Sequence, residues 1–285
     1  MALVTLAELL GKAVGAEYGV PAFNVNNLEF IQGAMQAAEE VHSPVILAIA
    51  PRAIAHAGLE PLAALSLEHA RRATIPVVVH LDHGKDLDTV RRSLALGFSS
   101  VMYDGSSLPL EENIRQTCQV VTMARRTGAS VEGEIGTMLT HGDRADTELT
   151  VERLRQFFTR PDEARRYIEA TGVDALAVSV GTVHRMPIKT ARIDRERLRD
   201  IHQAVATPLV FHGCTGLEDV EFRAAYTLGV KKFNIGTQLM EAFAQGLATG
   251  LRDGENALGC LKAAKENVCQ TAKGRIAVLN SAGKA

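Results

Sequence analysis

Short apolar runs alternate with amphipathic stretches along the whole 285-residue chain. Eight of these runs have strand length and favour bulky apolar residues. They predict buried β-strands at 19–25, 45–50, 77–81, 99–103, 130–134, 175–180, 209–212 and 232–235. Between them the apolar positions recur at helical period. The segment 28–41 carries Leu28, Ile31, Met35 and Ala38 on one stripe. The same pattern predicts helices at 87–96, 110–126, 161–171, 198–205 and 217–228, and a last one from 255 onward. Gly97, Gly128, Gly172 and Gly229 each separate a helical segment from the next strand, where a left-handed cap is wanted. This alternation, with no Pro/Gly/Ser-rich linker, predicts one parallel α/β domain over 1–285. Its form is a (β/α)8 barrel with a C-terminal helical extension. The first strand-to-helix turn, Phe23-Asn24-Val25-Asn26-Asn27, lacks GxGxxG, which argues against a dinucleotide-binding sheet.

Charge narrows the partners. A formal net charge of -2 gives no electrostatic reason to expect nucleic acid or an anionic membrane surface. No apolar run approaches the roughly 20 residues of a membrane span. The start, Met1-Ala2-Leu3-Val4-Thr5, has no basic segment followed by an apolar one, so no signal peptide is expected. Cys118, Cys214, Cys260 and Cys269 are far apart and form no CxxC pair, which predicts free thiols and a cytoplasmic protein.

Polar residues gather at the carboxyl ends of the predicted strands. Asn24 ends the first, Asp82 and His83 the third, and Asp104 follows the fourth. Glu132 and Glu134 close the fifth, His184 follows the sixth, His212 ends the seventh and Asn234 the eighth. In a barrel these positions converge on one face. Three histidines from separate strands match a catalytic zinc site with an open position. Each alone reads more readily as a hydrogen-bonded structural residue than as a ligand, and it is the three together on one rim, with carboxylates near, that point to a metal. His42, His69 and His202 lie in or beside helical segments and are expected in solvent. His80 shares a strand face with Asp82 and is expected to be structural. Neighbours on a strand point to opposite sides, so Asp82 and His83 serve one site only if the backbone turns there, and Gly84 permits that turn. Asp82 also reads as an N-cap for the next helix.

Gly213-Cys214-Thr215-Gly216 and Asn234-Ile235-Gly236-Thr237 open the helices after the seventh and eighth strands, where backbone N–H groups favour phosphate. There is no P-loop and no GxSxG elbow. No lysine lies in a clear strand core, Lys85 and Lys189 standing outside that rule, which weighs against Schiff-base chemistry. The polar stretch 137–159, holding His141 and Asp143, reads as a lid or as a surface loop.

The motifs HLDHG at 80–84, VEGEIG at 131–136, GTVH at 181–184, HGCTG at 212–216 and NIGT at 234–237 resemble the class II, zinc-dependent ketose-bisphosphate aldolases of the fructose and tagatose type. The likeness runs from PAFNVNN at 21–27 to SAGKA at the end. The resemblance implies a homodimer or homotetramer with a TIM barrel. It implies reversible cleavage of a sugar phosphate, a ketose 1,6-bisphosphate, to dihydroxyacetone phosphate and an aldehyde. It implies Zn2+ held by His83, His184 and His212, with a monovalent cation as a further cofactor. Asp82 matches the proton donor. Asp104 and Glu134 match positions for an alternative or second metal. Gly213, Cys214, Thr215, Asn234, Gly236 and Thr237, with Asn24, match the segments around dihydroxyacetone phosphate.

The sequence departs from the family at four clustered places. Arg185 stands where the family has glycine beside the phosphate. Leu139-Thr140-His141-Gly142-Asp143 lacks the glutamate that helps deprotonate dihydroxyacetone phosphate. Ala50-Pro51-Arg52-Ala53 replaces small polar residues, and Cys214-Thr215 replaces Ala-Ser. Either the chain is a bisphosphate aldolase with another group in place of the missing acid, or it acts on a different ketose. In the second case Arg52 and Arg185 supply forked donors for a phosphate, carboxylate or sulfonate. A non-catalytic aldolase-like subunit and a zinc hydrolase are the readings from other classes.

Overall fold

The computed structural model describes residues 2–136, 155–182 and 192–285. Eight parallel strands close into a barrel: β1 (Val20–Asn24), β2 (Val45–Ile49), β3 (Val77–Gly84), β4 (Ser100–Tyr103), β5 (Ser130–Ile135), β6 (Ala175–Val178), β7 (Leu209–Phe211) and β8 (Val230–Ile235). Each pairs with its sequence neighbour, and β8 returns to β1 with Val20 opposite Lys232 and Phe23 opposite Ile235. All eight predicted strands are present to within two residues at each end, except that β3 runs on to Gly84.

Alternation along each strand divides the molecule into two compartments. In β3, Val77, Val79 and Leu81 pack outward against the helices. Val78, at the other parity, joins an interior cluster with Ala22, Ile46, Met102, Ala175, Ala177 and Val210. Small and branched side chains let that interior close around itself at the amino-terminal end of the strands.

Helix α1 (Leu6–Ala13) plugs this end. Its Leu6, Leu9 and Leu10 are buried in the interior cluster, each burial contributing about 2 kcal/mol. The helix is started by a capping box: Thr5 Oγ1 accepts from the Glu8 N–H at 3.2 Å, and Glu8 Oε2 accepts from the Thr5 N–H at 2.8 Å. The Ala7 N–H donates to Ser130 Oγ at 3.0 Å, tying α1 to the first residue of β5.

The outer layer comprises α2 (Leu28–Glu40), α3 (Pro51–Ala57), α4 (Leu59–Arg72), α5 (Leu87–Leu96), α6 (Leu110–Arg125), α7 (Pro161–Thr171), α8 (Arg195–Ala204), α9 (Asp219–Thr227), α10 (Thr237–Arg252) and α11 (Ala257–Val278). The helices α1, α3 and α4 are not among those predicted, although Leu6, Leu9, Leu10 and Ala13 in α1 and Leu59, Leu62, Ala63, Leu67 and Ala70 in α4 recur at helical spacing. Helix α8 starts a turn earlier than its periodicity predicts because Asp194 caps it, accepting from the Arg197 N–H at 3.0 Å. The C-terminal extension is α11, which lies across α10 and α2. A Cβ on Gly246 would sit 2.5 Å from the Ala264 Cα, so the α10–α11 approach requires glycine there. Among the described residues no helix is long and apolar enough to cross a membrane.

Candidate active site

The carboxyl end of β3 carries the densest chemistry. Strand alternation turns His80 and Asp82 inward, both buried. His83 would then face the helices, but its backbone takes φ 49°, and the β3–β4 register shifts between Leu81 and Gly84. The turn that brings His83 beside Asp82 is therefore made by His83 itself. Gly84 stays in the strand, where a Cβ would lie 2.7 Å from the Met102 carbonyl oxygen. A left-handed conformation costs a non-glycine residue on the order of 1–2 kcal/mol, and the contacts of the ring offset it. His83 Nδ1 lies 3.0 Å from Asp104 Oδ2 and 3.6 Å from Glu134 Oε2. Asp82 is not the N-cap of α5. That place belongs to Asp86, which accepts from the Thr89 N–H at 2.7 Å.

Asp82 is gripped from both sides of the barrel seam. Asn24 Nδ2 donates to Oδ2 at 2.7 Å and Asn234 Nδ2 donates to Oδ1 at 2.8 Å. Burial alone would push this carboxyl up. The positive field of His83 and Lys232 overcomes it and holds Asp82 far below the usual carboxylate range.

His212, just past β7, is fully buried. Its Nε2 lies 2.8 Å from Glu132 Oε1 and its Nδ1 lies 3.1 Å from Asn234 Nδ2. A carboxylate only accepts and an amide NH2 only donates. The network thus assigns the proton to Nε2 and leaves the Nδ1 lone pair accepting from Asn234. Burial, with His83 nearby, pushes the His212 pKa down and favours the neutral ring.

Two donor clusters share His83. In one, ligand atoms of Asp82, His83 and His212 all lie within 4.8 Å of one another. In the other the same holds for His83, Asp104 and Glu134. The rings of His83 and His212 stand 4.5 Å apart, centroid to centroid. Glu134 Oε2 is buried without a hydrogen bond, an acceptor aimed at the imidazole. Burial first, then the neighbouring carboxylates, raise Glu134 to about 8. His83 rises to about 9, because Asp82 and the Asp104 hydrogen bond outweigh its burial. Mixed imidazole and carboxylate donors and an orphaned buried oxygen fit a divalent metal of borderline softness.

A cavity of about 620 Å³ opens above these strand ends, lined by Asp82, His83 and His212. Gly213, Cys214 and Thr215 border it from the β7 loop, Asn234, Gly236 and Thr237 from the β8 loop, and Asn24 from β1. The β7 loop does not open a helix directly. Gly213 is left-handed, Cys214–Gly216 form a separate 3-10 turn, and α9 starts only at Asp219. After β8, Thr237 is the first residue of α10, whose sixteen residues direct a full helix N-terminus at the cavity. A Cβ on Gly236 would lie 2.7 Å from Asn24 Oδ1, so glycine lets the loop pass close to the Asp82 clasp. Burial pushes the Cys214 thiol up to about 12, which leaves it inert. Arg52 and Lys85 also line the cavity. His184, Arg185, His141, Asp143 and Lys189 lie outside the described residues.

The rule that no lysine occupies a strand core fails at Lys232. It is fully buried in β8, with Nζ 2.7 Å from Glu132 Oε2, and it does not line the cavity. The signal was alternation: Glu132 lies two before Glu134, and Lys232 two before Asn234, so both share the inward parity.

Residues 4–284 match the family described as fructose-bisphosphate aldolase class-II. Among solved structures, the YdjI aldolase from Escherichia coli K12 is 29% identical with a TM-score of 0.86, over 99% of each chain. A Coccidioides immitis protein assigned as a fructose-1,6-biphosphate aldolase is 27% identical with a TM-score of 0.87, over 98% of this chain and 97% of that one. The fructose-bisphosphate aldolase of Campylobacter jejuni, 22% identical with a TM-score of 0.85 over 100% and 97%, shares the fold. A match spanning nearly every residue, on a barrel whose acid and histidines meet at one rim, places the chain in the class-II fructose-bisphosphate aldolase family, whose members are lyases.

Proposed function

We propose that residues 1–285 form one aldolase domain that reversibly cleaves a ketose 1,6-bisphosphate of fructose or tagatose type to dihydroxyacetone phosphate and an aldehyde. The single observation that carries this reading is the Asp82 carboxylate, clasped by Asn24 and Asn234 beside His83 and His212 in one cavity. We take Zn2+ as the metal, with His83, His184 and His212 as ligands and with Asp104 and Glu134 serving an alternative or second position. A divalent cation there supplies Lewis acidity, polarising the ketose carbonyl and spreading the charge that develops as the carbon–carbon bond breaks.

The side chains do the rest. Asp82, held as an anion, takes the proton of the C4 hydroxyl as the C3–C4 bond breaks. The bonding pair stays with C3, which then takes a proton from water to give dihydroxyacetone phosphate, and the C4 oxygen becomes the aldehyde carbonyl. In condensation the same carboxyl returns that proton to the forming C4 alkoxide. The two asparagine amides keep its oxygens aimed across the cavity. The β7 and β8 loops, with Gly213, Cys214, Thr215, Gly236 and Thr237, offer backbone N–H groups to the phosphate of the dihydroxyacetone half, and Arg185 adds charge there. The oligomer in this proposal is a homodimer or homotetramer, which sedimentation checks. A cytoplasmic location is supported by the four free cysteines.

The test is a panel of ketose mono- and bisphosphates, assayed with zinc-loaded and chelator-treated protein. Metal-dependent cleavage of fructose or tagatose bisphosphate supports the reading, and silence on the whole panel overturns it. A second reading, a ketose with a different anionic terminus, is favoured by one observation: Arg52 lines the cavity, and its guanidinium meets the Met240 thioether, with no carboxylate paired to it among the described residues. Silence on the bisphosphates with cleavage of an acidic ketose monophosphate selects that reading.

A further inference from the structure

Behind the cavity, at the next interior level of the barrel, lies a wholly buried charged network. Glu132 of β5 sits at its centre. Its Oε1 accepts from His212 Nε2 at 2.8 Å, while its Oε2 lies 2.7 Å from Lys232 Nζ of β8 and 3.6 Å from His80 Nε2 of β3. His80 Nδ1 in turn meets Ser100 Oγ at 2.8 Å. Lys232, Glu132, His80 and His212 are each 0% exposed. A buried ion pair of this kind is weak evidence for stability, because well-packed apolar residues of similar volume do as well or better. Its geometry has another consequence. Glu132 can hold the His212 ring only if Nε2 carries the proton, and that leaves Nδ1 as an acceptor, which the Asn234 amide meets at 3.1 Å.

We propose that Glu132 and Lys232 are positioning residues: opposite the Asn234 amide, which donates to Nδ1, they fix the tautomer and ring plane of His212, so that Nδ1 keeps its lone pair for a ligand role. Glu132 accepts the Nε2 hydrogen. Lys232 engages the other carboxylate oxygen, so that Glu132 has one orientation open to it. This rests on the reading of His212 as a metal ligand for its use, but not for its measurement. Outer groups that orient a ligating histidine are worth about 10- to 100-fold in metal affinity.

The experiment uses full-length protein with 15N-labelled histidine, and assigns His212 by comparison with His212→Asn. In metal-free wild type the His212 ring is expected neutral with its proton on Nε2; a proton on Nδ1 overturns the proposal outright. The double variant Glu132→Leu/Lys232→Met replaces the ion pair by apolar groups and should fold. It is expected to lose the single tautomer and to bind Zn2+ at least tenfold more weakly in chelator competition. Lys232→Arg, which keeps the charge, is expected to retain the wild-type tautomer. A folded double variant with the wild-type tautomer and unchanged Zn2+ affinity overturns the proposal. If the protein cleaves no ketose but these shifts appear, the aldolase reading fails and the positioning role stands. If the double variant does not fold, the wild-type and Lys232→Arg spectra decide.

Discussion

Asn234 Nδ2 stands 2.8 Å from Asp82 Oδ1, so an amide on the last strand of the barrel sets the direction of an acid on the third. A hydrogen bond to a charged group is worth about 1.5–3 kcal/mol. Asn234→Ala is therefore expected to lower kcat/KM by roughly 10- to 100-fold. The fold, followed by circular dichroism, should be unchanged. A variant as active as wild type would separate Asn234 from the acid.

Gly236 tests the same clasp from the other side. A methyl group at this position intrudes to 2.7 Å from Asn24 Oδ1, and Asn24 cannot yield without releasing Asp82. Gly236→Ala is expected to cut activity at least tenfold. Its thermal midpoint should move by only a few degrees. Combined with Asn24→Ala, the added methyl should cost little further activity, because its target is already gone.

Arg52 reaches the cavity from the first turn of α3, against the Met240 thioether. Arg52→Ala is expected to raise KM about tenfold for whichever substrate carries a second anionic group, with kcat nearly unchanged. Steady-state kinetics on paired substrates with and without that group checks the assignment. An equal effect on both would make Arg52 a surface charge.

His80 supplies a pH signature. Burial first, with Lys232 close by, takes it down to about 3 from the ordinary 6.5. Between those values the unfolded chain holds a proton on residue 80 that the folded chain does not. Acid therefore favours unfolding, and the stability on this account is lost as pH falls from about 6.5 toward 3. His80→Asn removes the titrating group while keeping a partner for Ser100. Between pH 4 and 6 its unfolding free energy should fall less steeply, by up to about 1.4 kcal/mol per pH unit. Urea denaturation of metal-free protein at several pH values measures this.

Far from the chemistry, Leu10 of α1 is buried in the interior cluster. Leu10→Ala is expected to cost about 2–5 kcal/mol of stability and to leave kcat alone. Loss of activity in folded protein would show that the plug end communicates with the rim.

The barrel was legible because its signal is repeated. Eight buried runs and the helical stripes between them agree with one topology, and errors at single boundaries do not change it. Asn24, Asp82, His83, His212 and Asn234 were legible because strand ends in a barrel share one face. What the sequence hides has local causes. Helix α1 has only eight residues, so its stripe of Leu6, Leu9, Leu10 and Ala13 is brief, although Thr5 and Glu8 spell its capping box. The turn at His83 was assigned to Gly84 because glycine is the usual occupant of left-handed backbone, and only the register shift between strands reveals which residue took it. Lys232 breaks the expectation that no lysine lies in a strand core. Its partner Glu132 is a hundred positions away, and no local rule joins them.

The stopper formed by α1 has one more effect. Leu6, Leu9 and Leu10, with Val78, Met102 and the rest of the interior cluster, fill the amino-terminal half of the barrel. The cavity therefore opens at the carboxyl rim, and whatever binds there approaches from that side.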